Sequence, residues 1–398
     1  MKIKSRPEDF VVEEFLELPE FTPEGSYVIY KLEKRGLSTL EVVELLARRY
    51  KIPDRDISFA GLKDKYAHTT QYLSMRVREA RAIKERNFGL SPLGRSTRPV
   101  GPDLLSKNKF RLTLRDLEKD SVENIIISLD QVSKYGFPNY FGEQRFGSVR
   151  HGGEFLAKLL IHEDYEGALK LYLSRWSTED RAVDKKFKRF VLSHWGDWDE
   201  CLRVAGRNRV RAIISYLRDH PGAFLNAINM INPRLLFLYV AAYQSYLWNE
   251  MASEFIKTDL NGVELIRFRY KPGEMVFYKK LPDKLFDRFI KMEIPLIDHK
   301  VEFSENSTKE IAEKVLSREG IAIQEFRLKK LKRAFFKSAP RKLIVFPEEL
   351  EISDIFPDEI YKGKFKLTLS FFLPSGSYAS VLLRRIEDRE IQKVNGIT

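Results

Sequence analysis

The stretch FAGLKDKYAHTT sets Asp64 between Lys63 and Lys65 and behind Gly61. A carboxylate beside a cation stays ionised, and an ionised aspartate can serve as a nucleophile or a base. The same K-D-K also makes an ordinary turn, since Asp bonds its own backbone there. A second stretch, PNYFGEQRFG from Pro138 to Gly147, carries Tyr140, Phe141 and Phe146. Exposed rings stack on nucleobases, Asn139 can bond a Watson–Crick edge and Arg145 can meet a phosphate. Buried, the same rings would anchor the loop to a core. A third, LPSGSYASVLLRR from Leu373 to Arg385, reads as a turn at Pro374, Ser375 and Gly376 between a strand and an apolar segment.

Several other chemistries lack their residues. Cys201 is the only cysteine, so no intrachain disulfide and no thiolate site needing two sulfurs can form. The six histidines have no H-x-x-x-H spacing, and a metal cofactor is not expected. Gly147 is followed by Ser148 with no G-K-[ST], and no G-x-G-x-x-G occurs, which removes a P-loop and a Gly-rich nucleotide turn.

The partner is legible in the charge. Net charge is +12 on a globular composition, which favours a polyanion. RLKKLKRAFFKSAPRK, from Arg327 to Lys342, includes Arg327, Lys329, Lys330, Lys332 and Arg333, with Phe335 and Phe336 interleaved and no acid. Further runs lie at Lys185, Lys186, Lys188 and Arg189, and at Arg207, Arg209 and Arg211. One such run is often a solvated helix face; three in one basic chain favour phosphate binding. The longest apolar runs, such as LLFLYVAAY from Leu235, fall short of the roughly 20 residues a membrane span needs. No apolar stretch follows the basic N-terminal residues, so a cytoplasmic location and no membrane partner are expected.

The elements that must position these residues follow from periodicity. In SYVIYKLEK, Val28, Tyr30 and Leu32 share one side of a strand. Ser38 with Glu41 makes a capping box for a helix with a stripe of Leu40, Val43, Leu46, Ala47 and Tyr50, ending near Lys51. ISFA and TQYLSMRV are strands flanking the loop GLKDKYA, so Asp64 sits at the end of a sheet. KFRLTLRDL alternates Phe110, Leu112 and Leu114 against Arg111, Thr113 and Arg115, and Asp120 with Glu123 caps a following helix. KFKLTLSFFL, from Lys364, repeats that strand almost residue for residue, either by chance or because the sheet has two related halves.

Strand patterns thus occupy both chain ends, while the middle is mainly helical and includes a helix apolar nearly all round near Tyr243 to Trp248. This predicts an α+β protein: a mixed or antiparallel sheet domain of residues 1–150 and 342–398, interrupted by an inserted, mainly helical domain of residues 151–341.

Four segments in order, KSRPEDFVVEE, FAGLKDKYAHTTQ, PNYFGEQRFG and FFLPSGSYASVLLRR, together resemble the TruD family of tRNA pseudouridine synthases over residues 4 to 385. The resemblance is to an archaeal-type member; Tyr66 and His68 depart from bacterial members, and His68 is expected to be structural. The resemblance implies a pseudouridine synthase sheet domain with a TruD-specific insertion. It implies isomerisation of a tRNA uridine, at position 13 in the family, by breaking the N1–C1′ bond and rejoining through C5 without cofactor or metal. It places the catalytic aspartate on Asp64, and the other pocket residues on Lys4, Asn139, Phe141 and Leu382. Lys4 would pair with Asp64 and keep it anionic, with Lys63 and Lys65 as alternative partners or RNA contacts. Phe141, supported by Leu382, would stack on the flipped base. Asp64 would then attack C1′ or remove the C2′ proton.

A noncatalytic RNA-binding protein needs the same basic and aromatic residues but no pocket carboxylate; an RNA methyltransferase needs the missing Gly-rich turn; a ribosome-associated structural protein would be inactive on isolated RNA. A monomer is the default.

Overall fold

The structure, a computed structural model, describes residues 1–147, 154–176, 180–206 and 209–387. Contacts divide the chain into two compact units, Met1–Phe137 with Val345–Arg389, and Pro138–Ile344. The boundary expected at 150 and the basic Arg207 lie outside the described residues, and PNYFGEQRFG opens the second unit.

The first unit is built on a ten-stranded sheet. Eight strands run in the order Glu348–Ile352, Phe365–Pro374, Leu105–Leu117, Phe10–Leu16, His68–Met75, Tyr27–Arg35, Phe88–Ser96 and Ile83–Lys84, with Phe356–Pro357 and Ile57–Phe59 on side branches. Phe10–Leu16 and His68–Met75 run parallel; the other pairs described are antiparallel. The sheet is therefore mixed, and its parallel pair ends where the Asp64 loop enters His68–Met75.

The two repeated strands are neighbours. Thr113 lies opposite Thr368, with Leu112 opposite Leu369 and Leu114 opposite Leu367. Equivalent threonines face each other, so a local two-fold axis passes between their hydroxyls, which bond at 3.1 Å. Phe110 and Phe371 stack nearby with centroids 5.5 Å apart. The alternation along KFRLTLRDL fails at one place. Arg115, expected on the solvent side, is buried, because Asp116 adopts a φ of 56° and a bulge shifts the register between Leu114 and Leu117.

The helix Thr39–Tyr50 starts on the expected capping box: Glu41 N donates to Ser38 Oγ and Ser38 N to Glu41 Oε2. Lys51 closes it in the left-handed conformation. Its buried face keeps Val43 and Leu46 of the expected stripe and adds Thr39 and Val42; Ala47 is half-buried, and Leu40 and Tyr50 are exposed. That face packs on Val28, Tyr30, Leu32 and Leu73. The helix expected from Asp120 begins at Lys119 after Glu118, with Asp120 inside the first turn, where a carboxylate favours the helix dipole.

The second unit is mainly helical around the buried 27-residue helix Pro233–Asp259, with Tyr243, Leu247 and Trp248 fully enclosed. A hairpin, Leu265–Tyr270 with Gly273–Tyr278, follows that helix. Residues 327–339 form irregular chain rather than a helix.

Candidate active site

Asp64 sits on the loop between Ile57–Phe59 and His68–Met75, whose backbone is held at Gly61, Lys63 and Asp64. Gln71 Nε2 donates to Gly61 O at 3.2 Å, Lys63 N donates to Thr39 Oγ1 at 2.9 Å, and Thr39 Oγ1 donates to Gln71 Oε1 at 2.9 Å. Lys34 Nζ reaches Asp64 O at 2.8 Å. A loop held by buried side chains presents its carboxylate at a fixed point. Gly61 has no left-handed φ; a Cβ there would meet Lys63 Nζ at 3.3 Å and Glu14 Oε1 at 3.4 Å. Its smallness leaves room for an ion pair instead of making a turn.

Among the described residues the carboxylate's ion-pair partner is Lys4. Lys4 Nζ lies 2.8 Å from Asp64 Oδ2, with both side chains about a quarter exposed, so the pair is held by protein and open to solvent. Lys4 Nζ also stands 4.1 Å over the Phe10 ring. Lys4 has a φ of 61°, a conformation that costs a non-glycine residue about 1–2 kcal/mol and persists only where its surroundings impose it.

Those surroundings are centred on Arg115. Before Lys4, Lys2 and Arg115 exchange backbone bonds of 2.8 and 2.9 Å. After it, Arg6 N donates to Asp9 Oδ2 at 2.8 Å, and Asp9 Oδ1 accepts from Arg115 Nε at 2.9 Å. Arg115 also bonds Asp358 and Glu359, each at 3.0 Å. Burial pushes the Asp358 carboxyl up, but the amides of Ile360, Asp116 and Tyr361 together with Arg115 outweigh it and hold it below the usual range.

Each flanking lysine is paired with a glutamate rather than with Asp64. Lys63 is mostly buried in a 2.6 Å pair with Glu14, whose carboxyl is pushed up by burial against the pull of Lys63. Lys65 is exposed and pairs with Glu41 at 2.6 Å. His68 is exposed and begins its strand opposite Val11 and Arg35. Leu382 is fully buried in the helix Ala379–Ile386, after a turn in which Gly376 takes a φ of 81°.

The remaining candidates belong to the second unit. Tyr140, Phe141 and Phe146 are buried, so the rings of PNYFGEQRFG anchor the loop rather than stand in solvent. Tyr140 OH donates to Val276 O at 2.8 Å and accepts from Val276 N at 3.0 Å. Asn249 clamps Phe141, accepting from its N at 2.8 Å and donating to its O at 3.0 Å. The Phe141 ring meets Trp248 edge-on, with the Arg341 guanidinium 4.0 Å from its centroid. Asn139 is equally engaged: its Oδ1 accepts from Arg341 Nη2 at 2.9 Å and its Nδ2 donates to Lys342 O at 3.3 Å. Arg145 donates to Ser245 Oγ at 3.1 Å. Arg327, Lys329, Lys330, Lys332 and Arg333 are exposed, as is Phe335, whereas Phe336 packs inward on Phe326; Lys330 also pairs with Glu163.

The roles of Lys34, Arg115, Asn249 and Arg341 were missed by sequence reading, although Arg115 stands in a quoted strand and Arg341 in the basic run from Arg327 to Lys342. Only Lys34 left a signal: it continues the inward series Val28, Tyr30, Leu32, and a lysine at an inward position needs a purpose. Among the described residues there is no group of three or more His, Cys, Asp or Glu able to hold a metal, and no helix long and apolar enough to cross a membrane.

Comparison with known proteins agrees over the whole chain. The chain is 34% identical over 391 residues to the "Probable tRNA pseudouridine synthase D 2" of Methanocaldococcus jannaschii, covering 97% of this chain and 91% of that protein. It is 31% identical over 394 residues to the tRNA pseudouridine synthase D of Aquifex aeolicus, covering 97% and 98%. A crystal structure from Methanosarcina mazei described as TruD matches with a TM-score of 0.66 and 28% identity, covering 97% of this chain and 93% of that one. The model of the family "tRNA pseudouridine synthase D (TruD)" matches residues 1–386, and the chain belongs to that family of isomerases.

Proposed function

We propose that the chain isomerises the uridine at position 13 of tRNA, with Asp64 acting on the sugar and Lys4 as its counter-ion. The observation that carries this reading is the 2.8 Å bond from Lys4 Nζ to Asp64 Oδ2, made across 60 residues of sequence and held by a strained backbone. A turn-forming aspartate needs no distant, pre-positioned cation. The ion pair keeps the carboxylate ready, and its partial exposure leaves it accessible to a flipped nucleotide.

The chemistry conserves atoms. The N1–C1′ bond breaks, a C5–C1′ bond forms, N1 gains a proton and C5 loses one. Asp64 either adds to C1′ as the base departs or removes the C2′ proton to leave a glycal that later recovers it; both require the ionised carboxylate. The aromatic role falls by family resemblance to Phe141, whose phenyl ring has no titratable group; its burial against Trp248 and Arg341 means that the ring must be uncovered before it stacks on a base. Exposed Arg327, Lys329, Lys332 and Arg333 supply charge for the tRNA backbone.

Incubating unmodified tRNA transcript with the protein and mapping pseudouridine chemically gives activity and site together. Asp64→Asn keeps the shape but can neither attack nor accept a proton, so it is expected to form no pseudouridine while tRNA affinity stays or rises. Product from Asp64→Asn would overturn the catalytic assignment, and modification confined to another uridine would overturn the position.

A further inference from the structure

One buried cation beneath the Asp64 loop has no part in the chemistry described so far. Lys34 is 1% exposed, at the inward end of the strand Tyr27–Arg35. Its ammonium donates to three backbone carbonyls: Leu37 at 2.7 Å, Asp64 at 2.8 Å and Lys63 at 3.4 Å. The first precedes the helix Thr39–Tyr50; the other two are in the catalytic loop. A buried ammonium costs several kcal/mol in desolvation, and an apolar side chain would fill the same space without that cost. Three converging carbonyls are what a lysine can satisfy and a leucine cannot.

We propose that Lys34 is the positioning residue of the Asp64 loop, its charged ammonium fixing the main chain at Asp64 so that the carboxylate is presented to the sugar. This rests on the reading of Asp64 as the acting carboxylate. The contact is to the main chain of Asp64, whereas Lys4 holds its side chain, so the two lysines fix different parts of one residue.

The arrangement makes turnover sensitive to alkali. The charged groups facing Lys34 are Asp64 and Lys63 on the loop, Glu41 on the helix Thr39–Tyr50 and Glu14 on the strand Phe10–Leu16. Burial pushes the Lys34 ammonium down to about 8, against the pull of Asp64. Once deprotonated, the nitrogen loses its charge-assisted bonds and the loop its anchor.

The test is the single-turnover rate of pseudouridine formation at saturating enzyme, against pH, for wild type, Lys34→Met, Lys34→Arg and Asp64→Asn, with tRNA affinity measured beside it. Wild-type turnover is expected to fall as pH rises through about 8. Lys34→Met is expected to lose about 100-fold in rate with affinity unchanged, the cost of misplacing a reacting group by about 1 Å. Lys34→Arg, charged throughout, is expected to recover part of the rate and to move the alkaline fall to higher pH. A lysine that served only folding would leave the pH profile of the surviving variants in place. Wild-type rate in Lys34→Met overturns the proposal, as does an alkaline limb unmoved in Lys34→Arg. If Lys34→Met does not fold, the wild-type and Lys34→Arg profiles decide. Inactive Asp64→Asn with unaffected Lys34→Met defeats the positioning role alone, whereas active Asp64→Asn defeats the catalytic reading.

Discussion

Arg115→Met removes the guanidinium that organises the chain around Lys4 and leaves its aliphatic volume largely filled. Of the three carboxylates on Arg115, those of Asp9 and Asp358 have side chains 3% and 0% exposed, while Glu359 is 44% exposed and adds little. The loss therefore comes from two buried carboxylates left without a cation. Each keeps some backbone donors, Arg6 N for Asp9 and the amides of Asp116, Ile360 and Tyr361 for Asp358, so the cost belongs to breaking one buried network, about 3–5 kcal/mol. Asp358 fixes the pH dependence. Its folded pKa is depressed, so its wild-type contribution is fully present above the unfolded value and is lost as pH falls through the folded value. Without Arg115 the folded carboxyl moves up, and protonation relieves the stranded charge. The deficit is thus largest near neutral pH and narrows towards about pH 4, where a carboxyl of ordinary pKa takes up its proton. Hydrogen exchange at the amides of Leu105–Leu117 reads this without interference from the second unit. Protection should fall by about two to four orders of magnitude at neutral pH, since 1.36 kcal/mol is tenfold. Adding Asp358→Asn should restore part of it. A deficit under about 1 kcal/mol, within the range of an exposed pair, or one unchanged between neutral and acid pH, refutes the account.

Two further outcomes follow from the second unit. Arg341→Lys keeps the charge but loses the planar fork that bonds Asn139 and stacks on Phe141; destabilisation of about 1–2 kcal/mol is expected. All four tryptophans lie in this unit, so intrinsic fluorescence during denaturation reports it, and an unchanged transition would contradict the role. Replacing Arg327, Lys329, Lys332 and Arg333 with glutamine should weaken tRNA binding and flatten the salt dependence of log Kd by about one unit for each phosphate that no longer meets a cation; an unchanged slope would place the RNA elsewhere.

Motif order and periodicity reach a definite depth in this chain. The strands around Asp64, the capping box of Ser38 and Glu41 and the enclosed helix around Tyr243 follow from local pattern, because burial of one face is written into alternation or helical spacing. Lys4 could be joined to Asp64 only through family resemblance, since nothing local links positions so far apart. Arg115 escaped because a bulge reverses the alternation that placed it outside, and a bulge of this kind leaves no compositional mark. Asn249 and Arg341 escaped for another reason: each holds the PNYFGEQRFG loop from far along the chain, by bonds to backbone that any sequence presents.

The second unit begins and ends at one place. Asn139 N donates to Leu343 O at 2.8 Å, so the first and last turns of a segment some two hundred residues long are hydrogen-bonded neighbours. In genetic terms, such a segment can be gained, lost or exchanged in one event without breaking the reading order of the host sheet. A gene joining Met1–Phe137 to Val345 through a short Gly-Ser turn therefore encodes the sheet unit by itself, with the aspartate and its lysine kept and the loop of Asn139 and Phe141 removed.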